Sequence, residues 1–90
     1  RGTIEEIERR DPDLGRQMRR ASTSVVLNIA EGTGSRGRNK ALRYQTALGS
    51  MRETLACIEI GVTLGYVRQP EQGLLGRIDH VLASLFKLAV

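Results

Sequence analysis

From Ala21 to Ala30 the chain reads ASTSVVLNIA, a run without a single charge. Its polar residues are only Ser22, Thr23, Ser24 and Asn28. Arg19 and Arg20 stand before it, and Glu31 and Gly32 close it. A helix at a surface needs a polar face toward water. This run offers none, so it is expected to be covered on several sides, by its own bundle, by a partner subunit, or by both.

Length adds to that demand. A chain of 90 residues makes one expected domain, a helical bundle over 1–90, and buries only a modest core. Self-association would help its stability. The net charge of +4 is local. Arg36, Arg38, Lys40, Arg43 and Arg52 face only Glu31 within residues 21–52, while the flanking segments nearly balance. Such a patch suits a polyanion or an acidic protein and says nothing about fold. One cysteine, Cys57, excludes an intramolecular disulfide framework and any multi-cysteine metal site. A reducing, cytoplasmic home is expected. No apolar run reaches the roughly 18 residues of a membrane span, and the charge-dense residues 1–20 do not read as a secretory leader.

Prolines and glycines divide the sequence. Thr3 to Arg10 reads as a short helix, with Ile4 and Ile7 on one face. Asp11-Pro12 reads as an N-cap and first helical residue, because proline lacks the amide hydrogen that a helix start leaves unpaired. The second helix is expected to run to Glu31 and stop on a left-handed Gly32. A loop follows to Gly37. A third helix is expected from Arg38 to Leu64, its stripe marked by Leu42, Leu48, Met51, Leu55, Ile58 and Val62, with Gly65 ending it. Gln69-Pro70 makes the next break. A last helix is expected from Glu71 to Ala89, carrying Leu74, Leu75, Ile78, Val81, Leu82, Leu85 and Leu88. The pattern predicts an all-α, antiparallel up-down bundle of the four-helix type with a short first helix.

Several residues carry a resemblance. Arg19-Arg20-Ala21-Ser22, Asn28-Ile29-Ala30-Glu31-Gly32, Ala47-Leu48-Gly49-Ser50 with Glu53, and Leu64-Gly65-Tyr66 all lie within residues 16 to 66. Together they resemble the four-helix-bundle proteins encoded in intervening sequences of bacterial 23S rRNA genes. That family includes the accessory protein of diversity-generating retroelements. The resemblance implies an up-down-up-down bundle that assembles into a homopentamer. For the retroelement member it also implies a reverse transcriptase partner and nucleic-acid binding. Most members have no established biochemical activity. This chain departs from the pattern at its front, where the family's first helix is several turns long and Thr3–Arg10 is not.

The remaining candidates weigh toward structure. Gly32-Thr33-Gly34-Ser35-Arg36-Gly37 matches G-x-G-x-x-G, but a dinucleotide site needs a strand before it, and a helix stands there instead. Arg36, Arg38, Lys40 and Arg43 are the nucleic-acid-binding candidates. Tyr44 is the only ring near them, which favours a solvated or subunit-pairing surface over base stacking. Asn28 and Glu31 share a helix face and read as a structural polar pair, with Asn28 buried and holding bundle register. They make a poor catalytic set. Cys57 reads as a buried, inert thiol and His80 as a surface or packed residue, and one of each cannot complete a zinc site. Ser22, Thr23 and Ser24 read as bonding back to helix carbonyls or allowing close helix approach, rather than as nucleophiles. Gly49, in mid-helix, costs about 1 kcal/mol relative to alanine, so another helix is expected to approach it; Gly61 repeats the case. The expected function is therefore a non-enzymatic homo-oligomeric interaction module without cofactor or metal. The rival is a nucleic-acid-binding accessory protein that partners a reverse transcriptase.

Overall fold

The computed structural model describes residues 2–68 and 72–89, with every side chain in them except those of Gln72 and Leu74. Four helices occupy them: α1 (Thr3–Arg10), α2 (Pro12–Thr33), α3 (Gly37–Thr63) and α4 (Gln72–Ala89). There is no strand among the described residues. The helices pack in chain order, α1 on α2, α2 on α3 and α3 on α4.

Each junction has a local cause. Asp11 caps α2, its Oδ1 accepting from the Leu14 amide at 3.1 Å with Pro12 in the first turn. At the far end of α3, Gly65 takes φ +78. The Tyr66 amide then reaches back to the Gly61 carbonyl at 2.8 Å, and the Gly65 amide to Val62 at 3.0 Å. That doubled return is the Schellman arrangement, which satisfies carbonyls the helix would leave orphaned. Tyr66 also donates its hydroxyl to Asp11 Oδ2 at 3.3 Å, tying the α3 exit to the α1–α2 turn.

The second helix does not stop at Glu31. It continues through Thr33, and Gly32 is helical rather than left-handed. The reason lies on α3. Tyr44 packs so tightly on Gly32 that a methyl group there would sit 2.8 Å from Cε1 of the ring. Gly32 is glycine to let the ring in, and Gly34 follows as the C-cap. Ser35 completes the end, its hydroxyl donating to the Glu31 carbonyl at 2.7 Å. The α2–α3 loop shortens to residues 34–36, and α3 begins at Gly37 with φ +60. The expected Gln69-Pro70 break and the start at Glu71 lie outside the described residues, as does the Leu74 side chain.

The core falls into two parts. Ile7, Leu14, Met18, Cys57, Ile58 and Ile78 form one cluster, to which all four helices contribute. Ile7 is fully enclosed at 0 % exposure and lies against Gly61, where an added methyl would meet its Cδ1 at 3.0 Å. The close approach expected at Gly61 is made. Tyr44, Ala47, Leu48, Leu85 and Ala89 form the second cluster, with Ile29, Met51, Val81 and Leu82 beside it. No residue of α1 belongs to it. A helix of 8 residues spans about 12 Å and covers only one end of an α2 that is 22 residues long.

Consequently the stripe expected on α3 and α4 is not wholly inward. Leu42 is 51 % exposed and Leu88 52 %. Within the uncharged run of α2, Val26 is 67 % and Leu27 55 % exposed. The close approach expected at Gly49 is not made within the chain, since a methyl group there would meet nothing within 4 Å.

Replacing Gly32 by alanine is expected to cost about 1–3 kcal/mol, because the methyl must displace a packed ring. Thermal unfolding followed by circular dichroism checks this. An unchanged midpoint would remove the Tyr44 contact as the reason for glycine.

Candidate functional site

The basic candidates separate in space. Arg36 precedes α3 as its N-cap without a side-chain cap bond, and Arg38 lies in the first turn; both are exposed. Lys40 is half-buried. Arg43 turns toward α2 and pairs with Glu31 at 2.9 Å. Tyr44 is spent on Gly32 and Thr33, its hydroxyl 3.5 Å from Thr33 Oγ1. The ring nearest the basic residues is therefore core, not a stacking platform.

Asn28 and Glu31 do not form a working pair. Asn28 is half-buried, less enclosed than expected. Its Nδ2 donates within α2 to the Ser24 carbonyl at 2.9 Å and to Ser24 Oγ at 3.1 Å. Ser24 is the residue that crosses between helices, accepting from the Ser50 hydroxyl of α3 at 2.8 Å. Ser22 does bond back, to the Arg19 carbonyl at 3.1 Å. Glu31 serves Arg43.

Around these groups lies a cleft of about 890 Å³ between α2 and α3. Arg16, Arg19, Arg20 and Arg43 stand on its walls, with Ser24, Asn28 and Ser50 among the lining and Glu31 and Glu53 opposing the positive charge. The sequence reading placed positive charge at the start of α3 and passed over Arg16, Arg19 and Arg20. Their segment is nearly neutral along the chain, because acidic partners lie close by. Their signal was the three- and four-residue spacing, which sets them along one side of a helix. Arg16 pairs with Asp13 at 3.0 Å, and Arg19 takes both oxygens of Glu8, at 2.9 and 2.7 Å.

The nucleophile candidates are structural. Cys57 is buried. Burial first, and the Glu53 charge second, push its thiol above the ordinary range, which disfavours the reactive thiolate. His80 is exposed on α4. Among the described residues no group of three or more His, Cys, Asp or Glu side chains is placed to hold a metal ion. The glycine-rich Gly32–Gly37 segment joins two helices, not a strand to a helix. Among the described residues no helix is long and apolar enough to cross a membrane.

These features define a small, all-α, antiparallel helical-bundle protein. The 23S rRNA-intervening sequence protein family matches residues 4–87, and the chain belongs to that family. The match takes in α1 and nearly all of α4 as well as the central motifs. Its members are small helical proteins not known as enzymes. Neither a curated protein nor a solved structure matches the chain.

The Glu8–Arg19 pair makes a pH prediction. The Arg19 hydrogen bond holds the Glu8 carboxyl below its usual value. A depressed folded pKa gives stability that is fully present above the unfolded pKa and is lost as pH falls through the folded one. The tie of α1 to α2 is therefore expected to loosen only below the ordinary carboxylate range. Amide hydrogen exchange of Thr3–Arg10 against pH checks this, with Glu8→Gln losing the acid-dependent step.

Proposed function

We propose that this chain is a non-enzymatic interaction protein that works as a homo-oligomer, with five copies as the family resemblance implies. The observation that carries the reading is the exposure of Val26 and Leu27 in the middle of an uncharged run. The chain covers that run along one side only. A second copy is the surface always present at matching concentration, and assembly supplies burial that a small domain lacks. No nucleophile, acid–base pair or metal set is drawn together among the described residues, which favours assembly over catalysis. A cytoplasmic compartment fits the free thiol of Cys57.

Two substitutions separate assembly from folding. Val26→Asp places a charge where the single chain is open, so it is expected to keep the helical content and lose the assembly, because an unpaired charge would be buried between copies. Ile29→Asp strikes a half-buried residue against the second core cluster and is expected to lower the unfolding midpoint as well. Light scattering gives the mass and circular dichroism the helicity. Val26→Asp with an undiminished mass would remove Val26 from any interface.

A second reading rests on one observation. Arg36, Arg38 and Lys40 have no ion-pair partner among the described residues, unlike Arg43. Repeated around an assembly, these cations would attract a nucleic-acid strand through its phosphates, as an accessory protein to a reverse transcriptase would. Binding is then expected to be indifferent to base sequence and to fall steeply with salt. Replacing Arg36, Arg38 and Lys40 together by alanine is expected to abolish it while leaving the mass unchanged. Fluorescence anisotropy with a labelled oligonucleotide at two salt concentrations measures this. Equal affinity in the variant would contradict it.

A further inference from the structure

The α2–α3 cleft holds a polar arrangement that the assembly reading does not use. Two contacts mark its register. Ser24 meets Ser50 at 2.8 Å, and Glu31 meets Arg43 at 2.9 Å, across the antiparallel helices. Continued one turn beyond Ser24, that register brings Arg20 of α2 opposite Glu53 of α3. Both line the cleft and both are exposed. Neither has an ion-pair partner among the described residues, although Arg16, Arg19 and Arg43 all do. The cleft lies away from α1. Arg20 and Glu31 stand about 120° and 140° around α2 from Val26, which lines a separate groove beside α1.

The floor of the cleft has a defined polarity. Ser24 Oγ accepts from Ser50 Oγ at 2.8 Å and from Asn28 Nδ2 at 3.1 Å. A serine hydroxyl has two acceptor positions and one proton. Both positions are taken, so Ser24 has only its proton left to give, and it meets no acceptor among the described residues. Asn28 spends its amide nitrogen on Ser24, which leaves its Oδ1 as an acceptor. Arg20, Asn28, Ser50 and Glu53 belong to three separate sequence segments that carry the family resemblance, and the fold brings them to one place.

We infer that this end of the cleft binds a small zwitterion, an α-amino acid with an apolar side chain. The inference stands apart from self-assembly. The ligand's carboxylate accepts from the Arg20 guanidinium and the Ser24 hydroxyl. Its ammonium donates to the Glu53 carboxylate and to Asn28 Oδ1. Such charge-assisted bonds are the strong ones. Leu27, 55 % exposed in the lining, offers a surface to the apolar side chain. The signs of charge disfavour a polyanion at this place. A strand or dicarboxylate paired with Arg20 would meet Glu53 opposite and Glu31 further along. A zwitterion satisfies both signs.

Amide NMR of the full chain, titrated with L-leucine, tests this. Two further probes each lack one charge: isocaproate has no ammonium and isoamylamine has no carboxylate. Leucine is expected to shift the Ser24, Asn28 and Ser50 amides saturably. It is expected to bind about tenfold tighter than either probe, the worth of one hydrogen bond to a charged group. Arg20→Gln is expected to erase leucine's advantage over isoamylamine, and Glu53→Gln its advantage over isocaproate. A merely structural role for either residue would weaken all three probes alike. Circular dichroism and light scattering are expected to show the parent's helicity and mass in both variants. No saturable shift with leucine, or an equal response to isocaproate or isoamylamine, would overturn the assignment while self-assembly stands. A loss of mass in either variant would overturn it too, by making Arg20 and Glu53 a contact between copies.

Discussion

The uncharged stretch of α2 governs the rest of the molecule. It gives α3 a smooth surface to pack on, and the packing is close enough that Tyr44 displaces any side chain from Gly32. A hydroxyl contact between Ser24 and Ser50 and the ion pair between Glu31 and Arg43 also cross between the two helices. The exposed ion pair adds little energy on its own. What α3 leaves uncovered on α2, the eight-residue α1 covers at one end only.

That partial cover divides the core. Where α1 reaches, Ile7 is sealed against Gly61 and the interior has contributions from all four helices. Beyond its first turn, three helices remain around Tyr44, Leu48 and Leu85. The lining of the groove at that boundary is apolar, not a set of convergent polar groups. Polar and charged groups gather instead in the α2–α3 cleft, where Arg16, Arg19 and Arg43 already have carboxylate partners. The site-like features of the chain thus lie in the cleft and not in the groove.

Much of this was legible from local signals. Asp11-Pro12 and Gly65 act within a few residues, and both junctions form as their chemistry dictates. The extent of α1, Thr3–Arg10, was equally readable. Gly32 was not, because its reason lies twelve residues on, in a ring on another helix; a terminating glycine and one that admits a neighbour look alike in sequence. Leu42 and Leu88 fit the periodic pattern yet lie outside, since period alone does not say which of two apolar sides a helix buries. Gly49 was read as a cost that an approaching helix would offset, and no helix among the described residues approaches it. The arginine-lined cleft escaped notice because charge summed along the chain hides charges that a helix sorts onto one side.

The central claim is that the exposed side of α2 is an assembly surface. Sedimentation equilibrium of the unmodified chain over a range of micromolar concentrations tests it most directly. The account predicts one closed species at a whole multiple of the 9.9 kDa chain mass, five copies by family resemblance. A single chain at every concentration would contradict it.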